Sequence, residues 1–324
     1  MTASALPRTQ GPWSPDGFDE FQREFPHTPP QVATADRGLT ATFIDHWRAG
    51  PSSDAMLRLR RRAPQTTVVF VRGFLGNYMP GNLVLAAREL RRLGFDAFIA
   101  RNRAGATVDD NVKSIERHLH ARRLRNRLVF CGHSRGGVES LTLLASRNDL
   151  ASQCDGVAAA QMPFAQSRVL ESMLLGAHRE SLRGTRRRAA EAVQRAGLEL
   201  IGAAPGGREL GGDGWARCVD RIAHVAWPFV VAQVATWSIR PTAWLDSFHQ
   251  RLGEIAPGRA HDGQFYLDEA LWPSLPHVLL PHVDHAQPAV GGFGFDTARF
   301  WSTLLTTLDT IDRRGLPSST GPQS

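Results

Sequence analysis

From Gln65 onward the chain alternates short apolar runs with stretches whose apolar residues recur every three or four positions. Strands buried on both faces give the first pattern and amphipathic helices the second. Their alternation predicts an α/β fold, a mostly parallel central sheet with helices on both faces. "TTVVFV" (Thr66 to Val71), "DAFIA" (Asp96 to Ala100), "RLVFC" (Arg127 to Cys131) and "GVAAAQ" (Gly156 to Gln161) read as strands. Between them, "NLVLAARELRRLG" (Asn82 to Gly94) sets Leu83, Ala86, Ala87, Leu90 and Leu93 on one helical face before a glycine stop. "DDNVKSIERHLHARR" (Asp109 to Arg123) opens on two acids that suit the positive end of a helix, and "VESLTLLAS" continues the series. Upstream, "LTATFIDHWR" and "AMLRLRRR" read as opening strands.

The alternation then lapses. Residues 166–250 read as a helical cap or lid inserted into a core made of 39–165 and 251–314. The insertion holds an arginine-rich stretch, a glycine-rich linker "GAAPGGRELGGDGW", and the apolar window from His224 to Ile239. That window is shorter than the ~20 residues that span a bilayer and contains Pro228 and Gln233, so it predicts a buried or cap helix. "PHVLLPHVDH" (Pro276 to His285) resumes the sheet, and "FDTARFWSTLLTTLDTID" closes it with a helix. Residues 1–38 form an N-terminal extension and 315–324 a flexible tail in this reading.

Composition narrows the class. With 42% apolar and 21% charged residues in 324, the chain is that of a globular protein. The net charge of +7 is almost wholly arginine, since Lys113 is the one lysine. No nucleic-acid motif accompanies it, so no nucleic-acid partner is expected, and any contact with an anionic membrane or lipid surface would be secondary. Cys131, Cys154 and Cys218 are too few and too scattered for a disulfide framework or a cysteine zinc site. With no secretory signal pattern in "MTASALPRTQGPWSPDGF", the simplest reading is a cytoplasmic protein with a loose leader.

The chemistry begins at "RLVFCGHSRGGVESLTLLA", where Gly132, Ser134, Gly136 and Gly137 occupy a strand-to-helix junction. A serine hydroxyl is a weak nucleophile unless a base takes its proton, and it must project from the backbone to reach a substrate. A sharp turn projects it but crowds neighbouring backbone, which demands small residues on both sides. In G-x-S-x-G between a buried strand and a helix, Ser134 therefore reads as a nucleophile elbow.

On these residues the chain resembles the α/β-hydrolase superfamily, in particular its lipase and esterase-like serine hydrolases, over roughly Gln65 to Gln161 and Arg259 to Asp312. The resemblance implies an oxyanion hole. "VRGFLGNYMPGN" is similar to the lipase loop after an early strand, with Arg72 in place of the usual histidine, which puts the donors at the backbone N–H groups of Phe74 and Arg135. It also implies an acid and a base after the serine. His285, in "PHVDHAQPAV", is similar to the family's terminal histidine. Asp262, in "GRAHDGQFYLDEALWP", is similar to its acidic turn, although no apolar strand precedes it; Asp268 is the alternative. His133 is expected to pack, and His277 and His282 to be structural or superficial.

Metal binding competes weakly for the histidines. The His118/His120 and His282/His285 spacings lack acidic or cysteine partners, and neither a P-loop nor a dinucleotide fingerprint is present, so no metal and no cofactor is expected. With Leu75, Tyr78, Trp227 and Trp237 expected around the substrate, the implied activity is cleavage of hydrophobic carboxylic esters through an acyl-enzyme. A thioesterase, cyclase or acyltransferase using the same residues remains an alternative, as does a non-catalytic ligand-binding scaffold. Arg72 and Arg135 near the mouth are more often the kind of arginine that pairs with a local carboxylate than one that meets an anionic substrate group. Oligomeric state is not legible.

Overall fold

The computed structural model describes residues 38–124, 126–176, 185–237, 246–272 and 274–313. The tail at 315–324 and all but Gly38 of the N-terminal extension lie outside them. Six strands, β1 (Thr66–Val71), β2 (Asp96–Ile99), β3 (Arg127–His133), β4 (Cys154–Ala160), β5 (Val230–Thr236) and β6 (His277–Leu280), form one sheet in the order β2-β1-β3-β4-β5-β6. Every pairing is parallel, as the alternation predicts.

Strand parity divides the core in two. Val69, Val71, Phe130, Val157 and Ala159 face one side, and Val68, Phe70, Val129, Cys131 and Ala158 the other. Both faces are dry, so the strands carry apolar residues at successive positions. In chain order the principal helices are α1 (Thr40–Ala49), α2 (Asp54–Arg62), α3 (Val84–Arg92), α4 (Val108–Arg122), α5 (Arg135–Ser146), α6 (Asn148–Gln153), α7 (Thr185–Leu200), α8 (Ala204–Leu210), α9 (Asp213–Ala223), α10 (Asp246–Ile255) and α11 (Thr297–Arg313). Residues of α4, α5 and α9 pack with Val69 and Phe130, and those of α1, α2, α3 and α11 with Val68 and Phe70. Among the described residues no helix is long and apolar enough to cross a membrane.

Two expectations are overturned. "LTATFIDHWR" and "AMLRLRRR" are helices, not strands: Phe43 and Trp47 are buried four apart in α1, as are Ala55 and Leu59 in α2. Ser53 caps α2 by accepting a hydrogen bond from the Met56 N–H. The window expected as a cap helix at 224–239 instead contains β5, which pairs with β4 from Gly156↔Val230 to Ala160↔Val234. Pro228 discourages a helix through this stretch, and the β-branched Val230, Val231 and Val234 suit a strand. The stretch 166–250 expected to be a helical insertion thus includes β5, and the described elements between β4 and β5 are a turn at Arg168–Leu170, a π-helical turn at Glu171–Leu175, and α7, α8 and α9.

The strand order fixes where a ligand can enter. From β1 the chain passes outward to β2, then returns to place β3 on the other side of β1. That reversal opens a crevice beyond the carboxyl ends of β1 and β3. The loop starting at Arg72 leaves one strand there, and Ser134 follows the other.

The close approach of β3 and α5 divides the glycines into two sorts. A Cβ on Gly136 would lie 2.2 Å from the Val71 carbonyl oxygen, whereas one on Gly253, inside α10, would meet nothing within 4 Å. Gly253→Ala should therefore stabilise the fold by about 0.5–1 kcal/mol. Gly136→Ala should cost about 3 kcal/mol or more, because rigid backbone blocks relaxation. Thermal unfolding of the two variants beside the wild type checks the opposite signs.

Candidate active site

Ser134 lies between the end of β3 and the start of α5, with φ 55° and ψ −131°. Such a backbone costs a non-glycine residue about 1–3 kcal/mol and persists only where its surroundings enforce it. Here the Ser134 N–H donates to the Ala160 carbonyl at 2.8 Å, and the Ser134 carbonyl accepts from the Gly137 N–H at 2.9 Å. A Cβ on Gly132 would come within 2.5 Å of the Gly137 Cα, so the bend closes only without side chains at that contact.

Ser134 and His285 line one cavity of about 410 Å³. Two loops carry them. His285 follows β6, and its ring Nδ1 lies 2.7 Å from Asp262 Oδ2. The same two residues are also joined through the backbone, where the His285 N–H donates to the Asp262 carbonyl at 2.8 Å. The other carboxylate oxygen of Asp262 accepts from the Gln264 and Phe265 N–H groups, each at 2.9 Å. Burial alone would push this fully buried carboxyl up. The His285 ring and the two backbone donors outweigh burial and hold it below the usual carboxylate value.

Asp268, the alternative acid, is engaged elsewhere, its oxygens accepting from Arg259 Nε and Nη2 at 3.0 and 2.6 Å. Asp284 caps its own turn through the Ala286 and Gln287 N–H groups. Asp262 reaches its position on the segment after α10 and not directly after a strand, which is why the sequence before it carries no strand pattern.

His133 packs. Its Nε2 lies 2.8 Å from the His285 carbonyl oxygen and 3.2 Å from Gln161 Oε1, both acceptors, so Nε2 bears the hydrogen. Gln161 in turn donates to the Asp284 carbonyl at 2.9 Å and to Thr236 Oγ1 at 2.5 Å. Together they clamp the backbone of 284 and 285 against the ends of β3, β4 and β5. Burial, aided by the nearby His285 ring, drives His133 down to about 3.

Phe74 and Leu75 line the cavity, and the N–H groups of Phe74 and Arg135 have no acceptor among the described residues. The Arg135 side chain turns away from the cavity and pairs with a local carboxylate. It is fully buried, with Nε 2.9 Å from Glu139 Oε1 and the remaining nitrogens donating to the carbonyls of Arg103, Ala104 and Ala106. Glu139 also accepts from Asn102 and Asn111. Arg72 donates to Asn77 Oδ1 and to the Asn82 carbonyl.

Tyr78, Trp227 and Trp237 are not among the lining residues. The half-exposed Tyr78 hydroxyl donates to the Ile201 carbonyl, Trp227 packs against Phe229, and Trp237 is buried with Leu267 and Leu271. The apolar wall comes instead from Leu170, Met173, Leu198, Leu210 and Phe248, with Met79 and Ile201. None of these was singled out in the sequence, because which residues face Ser134 depends on how distant elements dock. Asn82 and Gln264 also reach the cavity, and no local pattern distinguishes them.

No family model matches the chain, and no curated protein matches it in sequence. Solved structures do. The metagenomic carboxyl esterase MGS0156 is 18% identical with TM-score 0.55, over 78% of this chain and 77% of that one. The mature lipase BlEst2 of Bacillus licheniformis is 15% identical with TM-score 0.53, over 72% and 88%. Phospholipase PlaB of Legionella pneumophila is 14% identical with TM-score 0.51, over 78% of this chain and 64% of its own. The chain has the α/β-hydrolase fold of these lipase and esterase-like structures.

The buried rings give the site a pH signature. His133 and His261 are both lowered, to about 3 and about 4, first by burial and then by a neighbouring histidine. Unfolded, each protonates near its ordinary value of 6.5. Below that pH the unfolded chain binds protons that the folded one refuses, so stability falls as pH falls. Asp262 adds nothing to this window, because its lowered carboxyl loses its contribution only near pH 4 and below. Between pH 6.5 and 5 the two rings should remove about 3 kcal/mol. Denaturant midpoints of wild type and His261→Gln at the two values measure the share of one ring: the midpoint should fall less in the variant, whatever the opposing trend of the Glu139, Glu209 and Glu269 carboxyls that burial raises.

Proposed function

We propose that the protein is a serine hydrolase that cleaves carboxylic esters of hydrophobic acyl or alkyl groups. Ser134 Oγ attacks the ester carbonyl while His285 takes its proton, giving a tetrahedral adduct that collapses to an acyl-enzyme as His285 returns the proton to the leaving alcohol. A water that gives its proton to the same ring then attacks the acyl carbon, and the acid departs as Ser134 regains the proton. Asp262 fixes the ring with Nδ1–H toward its carboxylate and offsets the imidazolium charge. The N–H groups of Phe74 and Arg135 receive the oxyanion, each donor contributing about 10²–10³ in rate.

The observation that supports this reading most is the 2.7 Å contact between His285 and Asp262, on a ring that shares a cavity with a serine in a strained elbow. A ring so oriented presents its other nitrogen as the base. The mainly aliphatic and aromatic wall supports an apolar substrate over a sugar or peptide.

Wild-type protein should be labelled by a fluorophosphonate and should turn over short p-nitrophenyl esters, and Ser134→Ala should do neither. Asp262→Asn, which keeps the shape but removes the charge and favours the wrong tautomer, should lower kcat by about 10³–10⁴. Equal labelling of wild type and Ser134→Ala would sink the assignment. Thioesters in the same panel separate ester from thioester preference.

A further inference from the structure

The side chains of Asn102, Asn111, Arg135 and Glu139 form a buried polar cluster that the proposed chemistry leaves unused. Asn102 follows β2, which pairs with β1, and the Ala100 N–H extends that contact by donating to the Phe70 carbonyl at 2.7 Å. The Asn102 Nδ2 donates to the Arg72 carbonyl at 2.7 Å and to Glu139 Oε2 at 2.9 Å. The Asn102 carbonyl accepts from Asn77 Nδ2 at 2.6 Å, and the Ala104 carbonyl accepts from the Leu75 N–H at 3.4 Å. These bonds tie 72–77, the loop that carries Phe74, to 102–104.

The same loop rests against the nucleophile. A Cβ on Gly73, between Arg72 and Phe74, would lie 2.8 Å from Ser134 Cβ, so the loop backbone passes in contact with the serine. The Arg72 carbonyl and the Phe74 N–H belong to adjacent peptide units that meet at Gly73, whose backbone would otherwise be free to swing. An oxyanion donor must stay within about 2.7–3.1 Å of the developing charge, and a misplacement of about 1 Å costs about 10² in rate. Holding the Arg72 carbonyl is therefore a way of holding the donor.

Glu139 decides which end of the Asn102 amide faces Arg72. Its carboxylate and the Arg72 carbonyl are both acceptors, so a flipped amide would set Oδ1 against two of them. The observed orientation leaves Oδ1 buried with no hydrogen-bond partner, a penalty comparable to a lost hydrogen bond, and it is adopted all the same. Glu139 is itself held by Asn111 Nδ2 at 2.7 Å and Arg135 Nε at 2.9 Å. We propose that Asn102 is a positioning residue for the oxyanion loop: oriented by the Glu139 carboxylate, it fixes the Arg72 peptide and, through it, the Phe74 N–H. This rests on the ester-hydrolase reading above. Asn102 is not among the cavity-lining residues, so it acts through the loop and not on the substrate.

Saturating fluorophosphonate labelling counts the intact sites, so that unfolded protein drops out of kcat. Per labelled site, Asn102→Ala should lower kcat for p-nitrophenyl octanoate by about 10² and leave KM near the wild-type value, the pattern of an interaction felt only in the transition state. An octyl trifluoromethyl ketone, whose serine adduct carries the oxyanion, should bind this variant about 10²-fold more weakly. The matching secondary alcohol forms no adduct and should bind wild type and variant alike. Glu139→Gln keeps the shape but turns one acceptor into a donor. It should lower kcat by about tenfold or more, and in combination with Asn102→Ala it should lower kcat no further than Asn102→Ala alone. Should Asn102→Ala not fold, Glu139→Gln carries the same comparison of ketone with alcohol. An unchanged kcat per labelled site, equal weakening of ketone and alcohol, or additive losses in the double variant would overturn the inference. Wild-type protein that neither labels nor turns over the ester would instead remove the ester-hydrolase reading, and this inference with it.

Discussion

Backbone crowding at the junction of β3 and α5 is the constraint on which the site depends. The helix crosses so close to β1 that any side chain on Gly136 would strike the Val71 carbonyl, and Gly132 faces Gly137 at similar range. This proximity fixes the direction in which Ser134 leaves the sheet, and it forces the serine into its strained conformation. The strain is small beside the cost of separating β3 from its neighbours, so the bend is retained. The crevice produced by the reversed strand order thus receives a serine whose position is set by main chain, which cannot relax as a rotamer can.

A second layer fixes the loop that carries His285. His285 lies 151 residues further along the chain, on a loop whose own geometry does not determine its distance from β3. Gln161 and His133 supply the missing constraint by bonding the carbonyls of Asp284 and His285 from the ends of β4 and β3. Both groups are neutral amide or imidazole donors. The clamp therefore holds the loop without placing a competing charge beside the Asp262 carboxylate.

Much of this was legible in the sequence, and the failures share a physical cause. β1 to β4 stand out because helices with clear periodicity separate them. β5 does not: a strand buried on both faces has no alternation to distinguish it from a buried helix within a long apolar window. α2 was misread because Ala55, Leu57 and Leu59 mimic a two-residue period over a short stretch, although Leu57 is partly exposed. Ser134 was proposed from local turn chemistry, and Asp262 and His285 from short motifs that resemble those of a known family. Asn82, Phe248 and Leu170 were not, because facing a cavity is decided by how distant elements dock.

At Arg135 the proposed oxyanion donor and a structural anchor make unequal demands. Its N–H belongs to the main chain and would be supplied by almost any amino acid, while its guanidinium is locked onto Glu139 and three carbonyls in a region closed to water. Tolerance to change at this position is consequently governed by scaffold electrostatics. An apolar replacement would strand the Glu139 carboxylate in a dry environment at a cost of several kcal/mol. Positions 135 and 139 are thus expected to vary only as a couple, so that a seemingly free letter in the serine motif is tied to one a helical turn away.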